Sequence, residues 1–259
     1  MAISLTIDTE KDLHSDTYDS LKYGIPKALK IADKYNIKLT FFVPANLLEK
    51  FPDYFKDLKK KGHEIALHGL EHERFDDLHF KEKEERIIKA ILIYKKIFNE
   101  EPKGFRAPQH SIDDETLDIL NKNKFLYDSS YTPFNILQLV FFPKKIKLWF
   151  KGFFMPRKTF YIRKNLYEVP LSGFIIPFVS LPLRAFPKPM LKAFLLILRL
   201  TNKDMVFYAH SWDFIELPKS KIDKAFSHKK LTENLEVTIK YLKNKDKFLT
   251  MEQLANGRR

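Results

Sequence analysis

The chain has 259 residues, of which 44% are apolar, and a formal net charge of +13. This length and apolar content suit one domain built around one substantial hydrophobic core. There is no cysteine, which excludes disulfides, thiolate metal ligands and a cysteine nucleophile. Any metal site must therefore be built from His, Asp and Glu.

Apolar runs alternate with helical patterns along most of the sequence. We predict strands at 2–8, 38–43 and 63–67, near 104 and 125, and at 166–169, 205–209 and 248–250. We predict helices at 25–35, 45–61, 79–98 and 232–242. This alternation favours parallel pairing, and seven or eight such strands suit a closed or nearly closed α/β barrel. Catalytic residues are then expected at the carboxyl ends of the strands.

Two acids, Asp8 and Glu10, mark the end of the first predicted strand. Alternate residues of a strand share a face, so both side chains can point into one site. One can then bind a metal while the other acts as a base. The alternative is that these acids only cap the next helix.

Two histidines, His68 and His72, follow the third predicted strand directly. At spacing i and i+4 they are expected on one face of a helical turn, close enough to share a divalent ion. An isolated pair at this spacing can also be two ordinary surface histidines. Its position at a strand end, which is the active rim of a barrel, favours the metal site.

Two later strand ends also carry polar residues. Arg106 stands before Ala107 and Pro108, and a guanidinium suits the orientation of a catalytic carboxylate. The strand at 205–209 leads to His210, whose imidazolium can protonate a leaving amine. Trp212 can wall a small acyl pocket, or it can simply pack at the rim.

The positive charge is concentrated in one block. Residues 129–203 contain thirteen Lys and Arg and a single acid, Glu168, whereas the remainder is nearly neutral. Basic residues interleaved with aromatics between 134 and 200, including Trp149, predict docking on an anionic membrane surface. The alternative is an insertion that packs on the barrel and solvates its charges. Nucleic acid is not expected as a partner, because no recognition motif accompanies the charge.

The amino terminus shows no secretory signal. An apolar alternating run follows Met1 and Ala2 directly, without a basic region or a cleavage site. The expected location is cytoplasmic, with the basic block placing the protein at the inner face of the membrane.

Taken in order, these segments resemble the polysaccharide deacetylases, the family of the NodB-homology domain or carbohydrate esterase family 4. The resemblance runs from Ser4 to about Ala255 and rests on seven motifs in the correct order. These are LTIDTE, LTFFVP, GHEIALHGLEH, FRAP, YDSS, EVPLS and YAHSWDF.

The resemblance implies an α/β fold, a distorted (β/α)7 barrel formed as a single domain over 1–259, with basic aromatic insertion segments at about 134–164 and 174–200. It also implies a bound divalent metal, most often zinc. The assignments it implies are Asp8 as catalytic base, Arg106 as the residue that orients the base, His210 as general acid, Glu10, His68 and His72 as metal ligands, and Trp212 and Asp128 as substrate-binding residues.

Two positions depart from the common family pattern. Thr9 stands where the commonest form has a second adjacent aspartate, and relatives with a spaced acid use it for the metal, which points to Glu10. The arginine loop reads Pro108-Gln109-His110, which leaves the backbone oxyanion donor and any role of His110 open.

The predicted function is metal-dependent hydrolysis of an amide bond, the de-N-acetylation of an N-acetylated sugar that is lipid-linked or polymeric. One alternative is hydrolysis of a non-sugar amide or a cyclic ureide on the same barrel. A non-enzyme alternative is a module that binds glycans or lipids, and the complete set of predicted catalytic residues argues against it.

Overall fold

A computed structural model describes residues 1–13, 15–133, 152, 154–217 and 225–257. In these residues nine strands form one sheet. The strands are β1 (Ala2–Asp8), β2 (Thr40–Val43), β3 (Glu64–Leu67), β4 (Gly104–Phe105), β5 (Tyr127–Asp128), β6 (Phe160–Arg163), β7 (Leu166–Glu168), β8 (Asp204–His210) and β9 (Lys247–Phe248).

The sheet follows the order β6-β7-β5-β4-β3-β2-β1-β8, and β9 pairs with β1. Every pairing is parallel except the one between β6 and β7. The chain after β7 reaches β8, since Ser172 N donates to Val206 O at 3.3 Å and Tyr208 N donates to Phe178 O at 3.1 Å. These contacts bring the two ends of the sheet together as a curled, nearly closed barrel.

The described helices of six or more residues cover the outside of this sheet. They are α1 (Ile25–Lys34), α2 (Ala45–Lys50), α3 (Pro52–Lys60), α4 (Phe80–Phe98), α5 (Asp114–Lys122), α6 (Ser180–Ala185), α7 (Lys188–Thr201), α8 (His228–Lys243) and α9 (Met251–Asn256).

Several helical segments differ from the sequence prediction, and α9 is one that it did not include. The single helix expected at 45–61 is divided into α2 and α3, because Pro52 cannot continue a helix and instead begins the next one. The sequence analysis missed α5, which begins where the side chain of Asp113 accepts a hydrogen bond from Thr116 N.

Strands β1, β2 and β3 are almost entirely buried, and polar side chains such as Thr6 and Glu64 lie among their apolar residues. All four residues of β2 are buried, as expected for a parallel strand covered on both sides. Position 104 in β4 requires glycine, because a Cβ there would lie 2.1 Å from the ring of Tyr127 on the neighbouring strand.

The two predicted insertion segments have different outcomes. Residues 134–151, with Trp149, lie outside the described residues, while the rest of the first segment contains β6. The second segment, 174–200, contains α6 and most of α7. Among the described residues, no helix has both the length and the apolar content needed to cross a membrane.

Candidate active site

The carboxyl ends of four strands bring the predicted site residues together. Asp8 ends β1, His68 follows β3, Arg106 follows β4 and His210 ends β8. Asp8 and His210 lie directly opposite each other in the register of the β1–β8 pair. The parallel sheet therefore places these side chains at one rim, as the alternation of strands and helices predicts.

Glu10, His68 and His72 form a cluster whose potential ligand atoms all lie within 4.8 Å of one another. His72 Nε2 contacts Glu10 Oε2 directly, and the rings of the two histidines are 5.3 Å apart. Glu10 and His68 are buried, whereas His72 is partly open to solvent. This is the only group of its kind found among the described residues.

The predicted helical turn between the two histidines is wrong. The segment is an irregular loop in which Gly69 has a φ of +78° and His72 itself has a φ of +71°. The side chain of Glu73 holds this loop by accepting hydrogen bonds from Leu70 N and Glu71 N. A positive φ at a residue other than glycine costs free energy and is concentrated at functional sites.

The donor set of this cluster fits a divalent ion such as zinc, which binds imidazole nitrogen and carboxylate oxygen. His68 Nδ1 donates to the carbonyl of Arg106 at 2.8 Å, so its Nε2 is the nitrogen left to coordinate. Burial lowers the pKa of His68, although Asp8 and Glu10 oppose this effect. The neutral imidazole required of a ligand is therefore favoured.

Asp8 and Arg106 form an ion pair beneath this cluster, with Arg106 Nη1 donating to Asp8 Oδ1 at 2.7 Å. Arg106 also donates to Thr6 Oγ1, to the carbonyl of Ser129 and to Ser129 Oγ, each at 3.0 Å. Burial raises the pKa of Asp8, but the charge of Arg106 and the smaller effects of His68, His210 and His110 together hold that pKa below its usual value. Asp8 is thus an oriented carboxylate, with its other oxygen 3.5 Å from His68 Nε2.

His210 faces this group across the site, 3.6 Å from Glu10 Oε1. Its ring stacks on Trp212 at 4.2 Å, and its Nε2 lies 2.7 Å from the hydroxyl of Tyr208. Both the carboxylate and the backbone N–H of Asp213 lie beside Nδ1, so the ring has a partner in either protonation state. Burial lowers the pKa of His210, but Asp213 and Glu10 reverse this and raise it above its ordinary value.

A pocket of about 530 Å³ opens beside the cluster. Trp212, Glu10 and His72 form its inner wall, and the loop that follows β1 forms much of the rest. Trp212 is 8% exposed and lines the pocket, so its indole is packed into the wall. A contact between Trp212 and an acyl group stays a prediction.

Asp128, the other predicted substrate-binding residue, is fully buried. Its carboxylate accepts hydrogen bonds from Ser130 N at 3.1 Å and Ser130 Oγ at 2.7 Å, and Ser130 Oγ accepts from Ala107 N at 2.8 Å. In this arrangement Asp128 supports the loop that carries Arg106. A direct contact with substrate stays a prediction.

His110, whose role the sequence left open, lies under Tyr208, with the two rings 5.5 Å apart. Burial and the nearby Arg106 lower the pKa of His110 to about 4, so it is neutral near pH 7. Its backbone N–H donates to the carbonyl of Ala107 at 3.0 Å. That amide is therefore engaged and is not the oxyanion donor in this conformation.

Sequence reasoning missed two partners of His210. Asp213 holds the backbone N–H of His210 at 2.8 Å and lies beside the ring, while Tyr208 contacts the ring from the strand. An acidic residue three positions after an N-cap residue is a known sequence signal for the start of a helix, and His210 and Asp213 have this spacing. Tyr208 also has a signal, because residues 208 and 210 alternate along one strand and therefore share a face.

Comparison with known proteins agrees with the predicted resemblance to the polysaccharide deacetylases. Residues 2–127 match the family described as polysaccharide deacetylase. A peptidoglycan deacetylase-like protein of Gibberella zeae is 30% identical over 166 residues, which are 60% of this chain and 48% of that protein. The chain spans about half the length of the curated relatives it matches.

Solved structures show the same fold. A Mycobacterium smegmatis protein named as a polysaccharide deacetylase aligns with a TM-score of 0.71 and 18% identity, over 99% of this chain and 89% of that one. The structure of Puue allantoinase aligns with a TM-score of 0.70 and 16% identity, over 98% and 89% of the two chains. The predicted family and the predicted single-domain, distorted (β/α)7 barrel are both confirmed.

Proposed function

We propose that this chain, a confirmed relative of the polysaccharide deacetylases, is a metal-dependent hydrolase that removes the acetyl group from an N-acetylated sugar. The observation that carries the proposal is the position of the Glu10, His68 and His72 cluster between an oriented carboxylate and a histidine of raised pKa. Hydrolysis of an amide needs a base on one side of the carbonyl and an acid at the departing nitrogen.

Asp8 is the proposed base. Its low pKa keeps it ionised near neutrality, and Arg106 fixes one of its oxygens. The other oxygen faces His68, on the side of the cluster. Asp8 can therefore accept a proton from a water molecule that attacks beside Glu10 and His68, while Arg106 prevents the carboxylate from turning away.

Glu10, His68 and His72 are the proposed ligands of a divalent ion, for which zinc is the best match to two imidazoles and a carboxylate. Such an ion supplies Lewis acidity, which polarises a carbonyl and lowers the pKa of water. The protein prepares the site by fixing the His68 tautomer through Arg106 O and by holding the His72 loop through Glu73.

His210 is the proposed acid. The raised pKa keeps a larger share of its imidazole protonated near neutrality, and the stack on Trp212 fixes the plane of the ring. Proton transfer from His210 to the amine nitrogen allows that nitrogen to leave as the carbon–nitrogen bond breaks. Trp212 and the pocket wall then exclude bulky acyl groups, because the indole closes the space next to the histidine.

An N-acetylated glycan is the proposed substrate class. Relatives named as peptidoglycan deacetylases, in Helicobacter pylori among others, support it, as does the pocket beside Glu10 and His72. The principal alternative is a cyclic ureide, since the allantoinase structure shares the fold. The two substrates differ in product, because the deacetylase releases acetate whereas a ureidase opens a ring.

Acetate release provides the test. The zinc-loaded chain is incubated with N-acetylglucosamine oligomers and, separately, with allantoin. We expect acetate from the first and no ring opening of the second. The variants Asp8→Asn and His210→Gln should each lower kcat by about a hundredfold or more.

The control variant is Asp53→Asn, because the Asp53 side chain is 96% exposed. It should retain full activity. Ring opening of allantoin without acetate release would replace the proposed function with the ureide alternative. A folded, zinc-loaded chain with neither activity would support a binding module instead.

A further inference from the structure

Helix α7 (Lys188–Thr201) is apolar on the side that faces solvent as well as on the side that faces the barrel. Leu191, Leu195 and Leu198 are buried against the protein. On the opposite side, Met190 is 52%, Leu196 45%, Ile197 46% and Leu200 77% exposed. A surface helix normally places polar residues on its outer side, so this helix presents an unpartnered apolar face.

Further exposed apolar residues adjoin the carboxyl end of α7. Arg157 connects them, because its carbonyl accepts a hydrogen bond from Lys203 N at 3.1 Å and its guanidinium lies 4.8 Å from the ring of Phe174. Phe174 is 37% and Ile175 54% exposed, and Phe154 near Arg157 is 86% exposed. We call the surface formed by Met190, Leu196, Ile197, Leu200, Phe154, Phe174 and Ile175 the α7 face.

The chain segment that carries the α7 face is strongly basic, although Asp246 from outside it pairs with Arg199 of α7. Between residues 154 and 203 the sequence contains a single acid, Glu168, and that carboxylate is fully buried. Five exposed lysines occur over the same stretch, at Lys158, Lys164, Lys188, Lys192 and Lys203. The partner that complements this surface is therefore apolar where it meets the helix and anionic around it.

We propose that the α7 face docks on an anionic phospholipid bilayer. The side chains exposed on the helix are aliphatic, whereas contacts between proteins concentrate their binding energy in Tyr, Trp and Arg. Lysines beside an aliphatic face can reach lipid headgroups while their stems cover apolar surface. A helix of 14 residues, about 21 Å long, lies in the plane of the headgroups with its apolar side towards the acyl chains.

The docked orientation keeps the catalytic rim clear of the bilayer. Helix α7 leads directly into β8, so it runs from the carboxyl end of the sheet, where His210 lies, back to the amino end. With α7 flat on the membrane, the barrel lies on its side and the pocket opens along the membrane plane. Docking does not use the catalytic residues, so this inference is independent of the proposed deacetylation.

Vesicle sedimentation tests the proposal. The probes are vesicles of phosphatidylcholine alone and of phosphatidylcholine mixed with phosphatidylglycerol. We expect binding to the anionic vesicles that weakens with added salt and is much weaker on neutral vesicles. The triple variant Leu196→Gln, Ile197→Gln, Leu200→Gln should lower the partition coefficient by at least about tenfold, because these side chains no longer enter the acyl region.

Two control variants separate the α7 face from general effects. The double variant Ile88→Gln, Leu92→Gln makes the same kind of change at exposed apolar positions of α4 and should bind like the unmodified chain. Lys192→Gln and Lys203→Gln should each weaken binding about fivefold, whereas Lys89→Gln on α4 should not.

Three results would overturn the proposal. One is equal binding to neutral and anionic vesicles, or none to either. Another is unchanged binding of the folded triple variant. The third is a dimer in solution, without lipid, that the triple variant dissociates, since the occupant of the α7 face would then be a second copy of the chain.

Discussion

Arg106 reaches across the barrel interior to Asp8, with 2.7 Å between Nη1 and Oδ1, although strands β2 and β3 separate β4 from β1 in the sheet. Neighbouring strands are spaced by about 4.8 Å, so β1 and β4 would be about 14 Å apart in a flat sheet. The ion pair forms because the sheet curls and the arginine side chain is long. Both side chains are almost completely buried, which makes the pair part of the core as well as of the site.

Loss of Arg106 should therefore destabilise the protein strongly. Arg106→Ala leaves the carboxylate of Asp8 buried without its partner, and removal of one member of a buried pair costs about 3–5 kcal/mol. Urea unfolding followed by circular dichroism measures this change. The matched control is Lys122→Ala, which breaks an exposed pair with Glu84 and should cost less than about 1 kcal/mol. Similar losses in both variants would contradict a special role for the buried pair.

The sequence predicted the strand ends of the site because hydrophobic patterning is a local property. Asp8, His68, Arg106 and His210 each follow an apolar run, and the structure brings all four to one rim. It did not predict the loop conformation at His72, since a positive φ at that residue is imposed by packing and by Glu73. Hydrophobic patterning carries no record of such contacts between a side chain and the backbone.

Asp128 illustrates the same limit for side-chain roles. The motif around it resembles the family, but its carboxylate is sequestered by Ser130 beneath the arginine loop. Its burial depends on the register that pairs Asp128 with Glu168 on β7, and β7 is almost 40 residues further along the chain. His210, the proposed acid, differs in this respect, because its carboxylate partner Asp213 lies only three residues further along the chain.

Metal affinity should depend on Glu10. Glu10→Gln replaces the anionic ligand atom with a neutral amide. The affinity for zinc should fall by at least about tenfold, because even the loss of a residue that only hydrogen-bonds a metal ligand lowers the affinity by about that factor. Isothermal titration calorimetry of the metal-free chain measures the affinity. Glu71→Gln alters a second carboxylate of the same pocket that lies outside the cluster, and it should leave the affinity unchanged. Equal affinities in the Glu10 and Glu71 variants would remove Glu10 from the ligand set.

The pH dependence of the proposed reaction should move when Asp213 is neutralised. Burial lowers the pKa of His210, and Asp213 is first among the groups that raise it. An acid is active while protonated, so the rate falls as pH rises through that pKa. Asp213→Asn removes the charge and lowers the pKa, so the decline in kcat/KM should begin at a lower pH. The amide oxygen can still accept from His210 N, which keeps the loop in place.

Asp76→Asn is the control for this measurement, because Asp76 is an exposed carboxylate paired with Arg74. Its pH profile should overlay that of the unmodified chain. If Asp213→Asn lowers the rate equally at every pH, Asp213 acts on the loop and not on the protonation of His210.

Glu168 provides a test in which stability, and not catalysis, is measured. Burial and the neighbouring Asp128 raise the pKa of Glu168 well above its ordinary value, while Tyr131 N donates to one of its oxygens at 3.0 Å. A carboxyl whose pKa is raised by folding favours the folded state at low pH. That contribution is fully present below the unfolded pKa of 4.5 and is lost as pH rises through the folded value.

Glu168→Gln should therefore stabilise the protein near pH 7, because the amide has nearly the same shape, retains an acceptor for Tyr131 N and carries no charge to bury. The free energy of unfolding of the unmodified chain should decline above pH 4.5 by up to about 1.4 kcal/mol per pH unit for this group, and the variant should lack that part of the slope. Urea unfolding at a series of pH values measures both. Glu85→Gln, at a side chain 66% exposed, should leave the slope unchanged. A variant that is less stable than the unmodified chain near pH 7, and that shows the same slope above pH 4.5, would contradict a raised pKa of Glu168.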